Sequence, residues 1–359
     1  MNMNEKYTQL GNRLPTFDNP QAWYGPQLKE KPEQWIHNFT QLELDVLDAA
    51  VRRADATGKE LIDFGRDDFD LTGLEPLSRR IKEAVLHGMG LYLLRGLPVG
   101  QYTVRQSAIA YWALGLTLGL PVSQNGKGHV LGHVANLGLD YADSAVRGYQ
   151  TSSRLPYHTD SSDVVGLLCL KPAKSGGLSS VVSSTTVWNE LVARHPEHAR
   201  TLLGDFHRTR WGEIPEGQKP YSSCPIFAPS PNRMYANFVR SGIQKAQRLS
   251  SVPRLTPEQN EALDCLDAMT CNPELYLDMT FQPGDMQFLS NFSIFHSRTA
   301  YEDQPEPERR RHLLRLWLAC EEGPEIPESL IRRNGLAKNG RPNGIEVPGV
   351  RLNAPLVPA

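Results

Sequence analysis

A tripeptide and one distant histidine constrain this chain more than any other feature: His158-Thr159-Asp160, answered far downstream by His296. In an extended segment residues i and i+2 share a face, so His158 and Asp160 point the same way and Thr159 points away. The apolar run from Met286 to Phe295 reads as a second buried strand and loop that delivers His296 to the same place. Two imidazoles and one carboxylate suit a divalent transition metal, and three ligands on one face leave the rest of an octahedral ion open to other molecules. Segments so far apart in sequence must then meet at one point. A domain boundary between them would split the site, so residues 1–359 are expected to form one domain.

With 10 histidines in the chain, a His-x-Asp triplet arises near chance level, and the context has to supply the specificity. Around the triplet stand Leu155-Pro156-Tyr157-His158-Thr159-Asp160, then Val164 to Leu170, then Ser175-Gly176-Gly177-Leu178-Ser179. Downstream come Pro283-Gly284-Asp285, Asn291, His296-Ser297-Arg298-Thr299 and Arg311-His312-Leu313-Leu314-Arg315-Leu316-Trp317. In this order, over Leu91 to Ala319, the chain resembles the taurine dioxygenase (TauD/TfdA-like) family of Fe(II)/2-oxoglutarate-dependent oxygenases.

The resemblance implies that His158, Asp160 and His296 hold Fe(II), with 2-oxoglutarate as co-substrate and O2 as oxidant. It places the arginine that takes the far carboxylate of 2-oxoglutarate at Arg315, with Arg311 in support, and puts Ser179 where the family has a threonine on the same carboxylate. A planar guanidinium fork suits a carboxylate better than an ammonium does. The implied reaction converts 2-oxoglutarate to succinate and CO2 and hydroxylates a C–H bond. Desaturation and cyclisation use the same iron site, and Asp160 fills the position that a halide would need. Each residue also has a plain reading: the histidines as hydrogen-bonded core residues, Arg315 as a strand-edge ion pair, Ser179 as sheet surface. The alternative in another class is a non-catalytic jelly-roll binding protein with a vestigial metal site. A zinc hydrolase built on His129 and His133 is a third reading. No Glu stands between that pair, and Gly132 weakens a helix there.

One departure bears on substrate. Aligned on the iron strand, Leu120, Ser123 and Arg154 stand where taurine-oxidising members use a histidine, a tyrosine and an asparagine, so taurine is expected to be a poor substrate. Arg154 lies four residues before His158 and offers a cation, and Gln124, Asn125 and Tyr149 offer hydrogen bonds. The expected substrate is a small organic acid or amino-acid-derived metabolite.

At 359 residues and 40% hydrophobic the chain can bury a sizeable core. A net charge of −2 gives no field for a nucleic-acid backbone or an anionic membrane, so a small molecule is the expected partner and a homo-oligomer is left open. Met1 to Lys6 lack the apolar core of a secretory leader, and Val164 to Leu170 is too short to span a bilayer, which together predict a cytoplasmic protein. The five cysteines form no Cys-x-x-Cys pair and read as reduced thiols.

Along the chain, residues 1–40 read as a Pro- and Trp-rich segment wrapping the surface, and 41–120 as a helix, strand and helix opening. Helices are expected from Thr40 and Glu75, a strand over 90–94, and a helix through 102–118. Residues 121–320 punctuate short extended runs with Gly and Pro, as a double-stranded β-helix does. The expected class is therefore α+β, mainly β: a jelly-roll core of the clavaminate-synthase-like kind with flanking helices. A helical insert is expected over about 186–275, with Thr256 as an N-cap and Pro257 at the first helical position. Residues 334–359 read as a loosely packed tail.

Overall fold

The structure, a computed structural model, describes residues 14–139, 147–214, 217–331, 336, 339–342 and 344–358. The leader reading at Met1 to Lys6, and the first third of the expected wrapping segment, lie outside the described residues.

Sheet strands in chain order are β1 (Ile36–Asn38), β2 (Leu91–Arg95), β3 (Leu120–Pro121), β4 (Leu131–Val134), β5 (Leu155–His158), β6 (Val164–Lys171), β7 (Ser179–Ser183), β8 (Leu277–Met279), β9 (Met286–Ser290), β10 (Ile294–Arg298) and β11 (His312–Ala319). Seven form one sheet in the order β1-β2-β9-β6-β11-β3, with β4 also on β11. Four form the second, β8-β7-β10-β5. Two sheets with these non-consecutive neighbours enclose a jelly roll.

Strict alternation assigns every residue of the central strands to one of two cores. On β6 and β11, Val164, Leu168, Leu170, Leu314, Leu316 and Leu318 pack outward under the helical layer. That layer comprises α1 (Gln41–Ala56), α2 (Glu75–Lys82) and α3 (Val104–Leu118). The intervening residues Val165, Cys169, Leu313, Trp317 and Ala319 pack inward between the sheets. Burial on both faces is why these strands read as continuous apolar runs rather than as alternating ones. The same rule splits the second sheet: Val182 and Phe295 face an outer helical core, while Val181 and Ile294 face the jelly-roll interior with His296 in phase.

Caps fix the helix starts. Thr40, Thr103 and Thr256 each form a capping box, with Glu43, Gln106 and Gln259 returning the bond. The expected helical insert opens with two helices, α4 (Ser184–Arg194) and α5 (Pro196–Leu202). Proline cannot continue a helix and disfavours helical backbone before it, so His195 becomes the hinge between them. The insert continues through α6 (Arg240–Ala246) and α7 (Pro257–Thr270). It also holds two antiparallel hairpins that the helical reading did not anticipate, Asp205–Thr209 with Tyr221–Pro225 and Phe227–Ser230 with Arg233–Ala236.

The N-terminal segment does wrap both layers: Trp23 Nε1 donates to Met89 O, Trp188 Nε1 to Pro15 O, and Phe17 exchanges two bonds with Asn189. The C-terminal segment is not loose. Asn353 pairs its backbone with Gly128 and Val130, Ile345 N donates to Ser123 O, and Pro355 O bonds His133. Loop polarity had hidden these main-chain bonds. Ahead of β9, Gly284 (φ 88°) makes a turn in which a Cβ would lie 2.0 Å from Leu97 O, and the buried Asp285 beside it receives a bidentate pair from Arg95.

Candidate active site

The end of β5 and the middle of β10 bring the sequence-predicted metal residues together. His296 lies directly opposite His158 in the ladder, and Asp160 follows as β5 ends. The imidazole rings are 4.3 Å apart, His296 Nε2 is 3.6 Å from Asp160 Oδ2, and one donor atom from each of the three lies within 4.8 Å of the others. His158 Nδ1 bonds Pro156 O at 2.9 Å, which makes Nδ1 the protonated nitrogen and leaves the Nε2 lone pair for a metal. On the buried His296, Nδ1 has no hydrogen-bond partner. Two imidazoles, one carboxylate and an orphaned ring nitrogen fit a ferrous ion.

The surrounding charges keep the donors in the state a metal needs. Burial, and then the charge of His296, push His158 down to about 4, so its ring is neutral at neutral pH. Burial alone would raise the Asp160 carboxyl, but the Arg315 guanidinium and then His296 outweigh it and hold it far below the ordinary carboxylate range. Trp317 Nε1 donates to Asp160 Oδ2 at 2.9 Å, and the Asp160 N–H donates to Asn291 Oδ1 at 3.0 Å. Asn291 Nδ2 reaches Ser162 Oγ as well, so it ties the loop before His296 to the loop after β5.

Arg315 is inward on β11, in phase with Leu313 and Trp317, and its Nη1 lies 3.8 Å from Asp160 Oδ2. Its Nε donates to Gln124 Oε1 at 2.7 Å, while Gln124 Nε2 donates to Arg315 O and Val130 O. The guanidinium also sits over the rings of Tyr149, at 4.6 Å, and Trp317, at 5.1 Å. Four residues earlier Arg311 is 4% exposed, stacks over Tyr301 and leaves Nη1 with no hydrogen-bond partner. A Cβ at Gly177 (φ 67°) would lie 3.1 Å from Arg311 Nε, so Gly177 gives this arginine its room. Ser179 is buried beside it and donates to Gln287 Oε1. Arg311, Arg315 and Ser179 share an inner cavity of about 50 Å³ with the three metal residues.

A second cavity, of about 140 Å³, opens outward from His158 and Asp160. Tyr149 lines both. The other expected substrate residues are placed elsewhere: Gln124 and Asn125 lie behind Arg315 beside His129, and Arg154 is exposed with its Nη2 on Cys271 Sγ. His129 does not join His133, whose Nδ1 meets His312 Nε2 at 2.7 Å. Arg147, Trp211, Arg240 and Lys245, which stand in no recognisable motif, complete the outer wall from separate loops and the insert. Trp211 is the only non-glycine residue with positive φ (51°) among the described residues. Trp317 was within reach of sequence reasoning, because it alternates in phase with Arg315.

A jelly roll with two histidines and an aspartate converging on its inner face defines a non-haem iron oxygenase. Residues 53–317 match the family described as taurine catabolism dioxygenase TauD, TfdA family. The chain is 33% identical over 339 residues to FR-33289 synthase of Streptomyces rubellomurinus, covering 89% of this chain and 96% of that one. It is 27% identical over 311 residues to a taurine hydroxylase-like protein of Stachybotrys chartarum, covering 84% and 79%. The chain belongs to the TauD/TfdA family of Fe(II)/2-oxoglutarate-dependent dioxygenases. Among solved structures, asparagine oxygenase in complex with Fe(II), 2S,3S-3-hydroxyasparagine and succinate superposes with a TM-score of 0.60 at 16% identity, over 79% of this chain and 93% of that one. The non-haem iron oxygenase OrfP with Fe and alpha-ketoglutaric acid gives the same TM-score and identity. At that identity the likeness shows the fold, which is the expected jelly roll.

Proposed function

We propose that the protein couples oxidative decarboxylation of 2-oxoglutarate, to succinate and CO2, with hydroxylation of a C–H bond in a small organic acid or amino-acid-derived metabolite. The observation that carries this reading is the convergence of His158, Asp160 and His296 at the junction of two cavities. In it these three residues hold Fe(II), which when bound supplies the electrons that activate dioxygen. His158 stays neutral, and Asp160 stays ionised under Arg315 and Trp317. The inner cavity takes the co-substrate, and the outer one takes the molecule to be hydroxylated.

The distances favour dividing the arginine roles differently from the family-based reading. A 2-oxo acid chelating the metal carries its far carboxylate three carbons beyond the chelating carbonyl. Arg315, 3.8 Å from a metal-facing oxygen, is crowded against the chelating end. Arg311 lies roughly 13 Å further along the backbone, at about 3.3 Å per residue. Its long side chain lines the same cavity as Ser179 and carries an unsatisfied donor. Arg311 with Ser179 is therefore the better partner for the far carboxylate, and Arg315, clamped by Gln124, is the cation next to the reacting centre.

Asparagine oxygenase and OrfP were solved with hydroxylated amino acids, which supports an amino-acid-like metabolite here. Arg154 takes no part, because it lines neither cavity. The test is 2-oxoglutarate consumption by the iron-loaded protein against amino acids, small carboxylic acids and taurine, with the product identified by mass. One or more acids should raise turnover with succinate and a product 16 Da heavier (one oxygen) in equal amounts, and Arg154→Ala should not change it. Taurine as the best substrate, or a product without added oxygen, would reject the reading.

A further inference from the structure

Outside the iron site, a second group of donors converges in the helical insert. His195 is the hinge between α4 and α5, His198 lies in the first turn of α5, and Cys265 projects from α7, which packs against it. One donor atom from each of the three lies within 4.8 Å of the others. The two imidazoles are stacked 5.8 Å apart at 28°. Glu197 lies between the histidines in sequence, and its Oε1 is 4.0 Å from His198 Nε2. Its charge also reaches the sulfur: after burial, Glu197 is the second cause holding the Cys265 thiol up. Two nitrogens and one sulfur therefore face a common point, with the exposed Glu197 carboxylate at its edge.

We propose that His195, His198 and Cys265, with water in the fourth position, form a second metal site that binds zinc or a chemically similar thiophilic divalent cation. The donor set decides the class. Thiolate with imidazole suits zinc in tetrahedral geometry, whereas the oxygen-rich sets that magnesium and calcium prefer are absent here. Tetrahedral zinc needs donors about 3.3 to 3.6 Å apart, given Zn–N near 2.0 and Zn–S near 2.3 Å. The half-buried side chains close the remaining ångström by rotamer adjustment, while the packed helices keep the backbone fixed. Binding displaces the thiol proton to solvent and leaves the metal's oxidation state unchanged. The role is a clamp: α7 also supplies Asp264 and Asp267 to Arg240 on the wall of the outer cavity, so a metal here fastens the helix that fixes that wall.

Cobalt(II) reports the site directly, because a thiolate ligand gives near-ultraviolet charge-transfer absorption that the nitrogen and oxygen donors of the iron site do not. The full chain, stripped of metal under reducing conditions, should take up two equivalents of cobalt, one carrying the thiolate band. Cys265→Ser should abolish the band and keep one equivalent. His296→Ala should keep the band and lose the other equivalent. Zinc should displace the band and raise the thermal midpoint of the wild type by more than that of Cys265→Ser. A band that survives in Cys265→Ser, or disappears only in Cys271→Ser, or no band at any cobalt loading, would overturn the proposal. Because the band is read without turnover, its outcome is independent of whether the iron site is active.

Discussion

At the scale of single residues two arginines decide the co-substrate assignment: Arg315 on β11 and Arg311 just before it. Both are buried and line the inner cavity, so position alone gives them equal claims, and only their neighbours separate them. Arg311 has an orphaned Nη1 and Ser179 beside it, and Arg315 is fully engaged by Gln124, Tyr149 and Asp160. Removing the cationic partner of a carboxylate in a partly dry pocket costs about 3 to 5 kcal/mol, which is roughly two to nearly four orders of magnitude in affinity. Arg311→Ala should therefore weaken 2-oxoglutarate binding by that much, measured by calorimetry on the iron-loaded protein, and Ser179→Ala by about tenfold, the value of one charge-assisted hydrogen bond. Arg315→Ala should leave 2-oxoglutarate affinity within about tenfold while raising the substrate requirement. The opposite order of the two arginine variants would restore the family-based assignment. Gln124→Ala, which frees the Arg315 guanidinium, should behave as a milder Arg315→Ala.

Secondary-structure elements hold these residues through two devices outside the site. The turn into β9 depends on Asp285, which is fully buried and receives both nitrogens of Arg95 from β2 as well as the Gln282 N–H. Breaking such a pair leaves Arg95, about a quarter exposed, without its charged partner, so Asp285→Ala should cost about 2 to 3 kcal/mol in urea unfolding. The second device is the stacked pair of His133 on β4 and His312 on β11 beneath the C-terminal segment. Burial, and then His133 and Lys171, push His312 down to about 4. Its unfolded value is about 6.5, so between those values the unfolded chain binds the extra proton. Stability conferred by the neutral ring is complete above about 6.5 and is lost as pH falls toward 4, a loss on the order of 3 kcal/mol. Thermal midpoints of wild type should fall over that window by more than those of His312→Asn. Equal slopes would show that another group governs the acid limb.

Over the whole molecule, the sequence was most legible where geometry repeats. The i, i+2 face of His158 and Asp160, the capping threonines and the continuous apolar strands of a doubly covered sheet each have a period or a fixed offset. The outer cavity wall has neither. Arg147, Trp211, Arg240 and Lys245 come from separate loops and an insert, and tertiary closure alone brings them together. The same holds for Arg154, close to His158 in sequence but turned outward to Cys271, because proximity along a strand end says nothing of facing. The hairpins of the insert were missed for another reason: Pro225, Pro229 and Ser-rich stretches mask their alternation. No helix among the described residues is long and apolar enough to cross a membrane.

The central claim is that His158, Asp160 and His296 hold the iron of a working 2-oxoglutarate oxygenase. Succinate formed from 2-oxoglutarate by the full chain with Fe(II) in air, with no other substrate added, tests it most directly. The wild type should form succinate slowly, and the signal should vanish without iron or without oxygen. His158→Ala, Asp160→Ala and His296→Ala should each form none while keeping the wild-type circular dichroism spectrum. Wild-type succinate formation by any one of the three folded variants, or none from iron-loaded wild type with 2-oxoglutarate bound, would contradict the account.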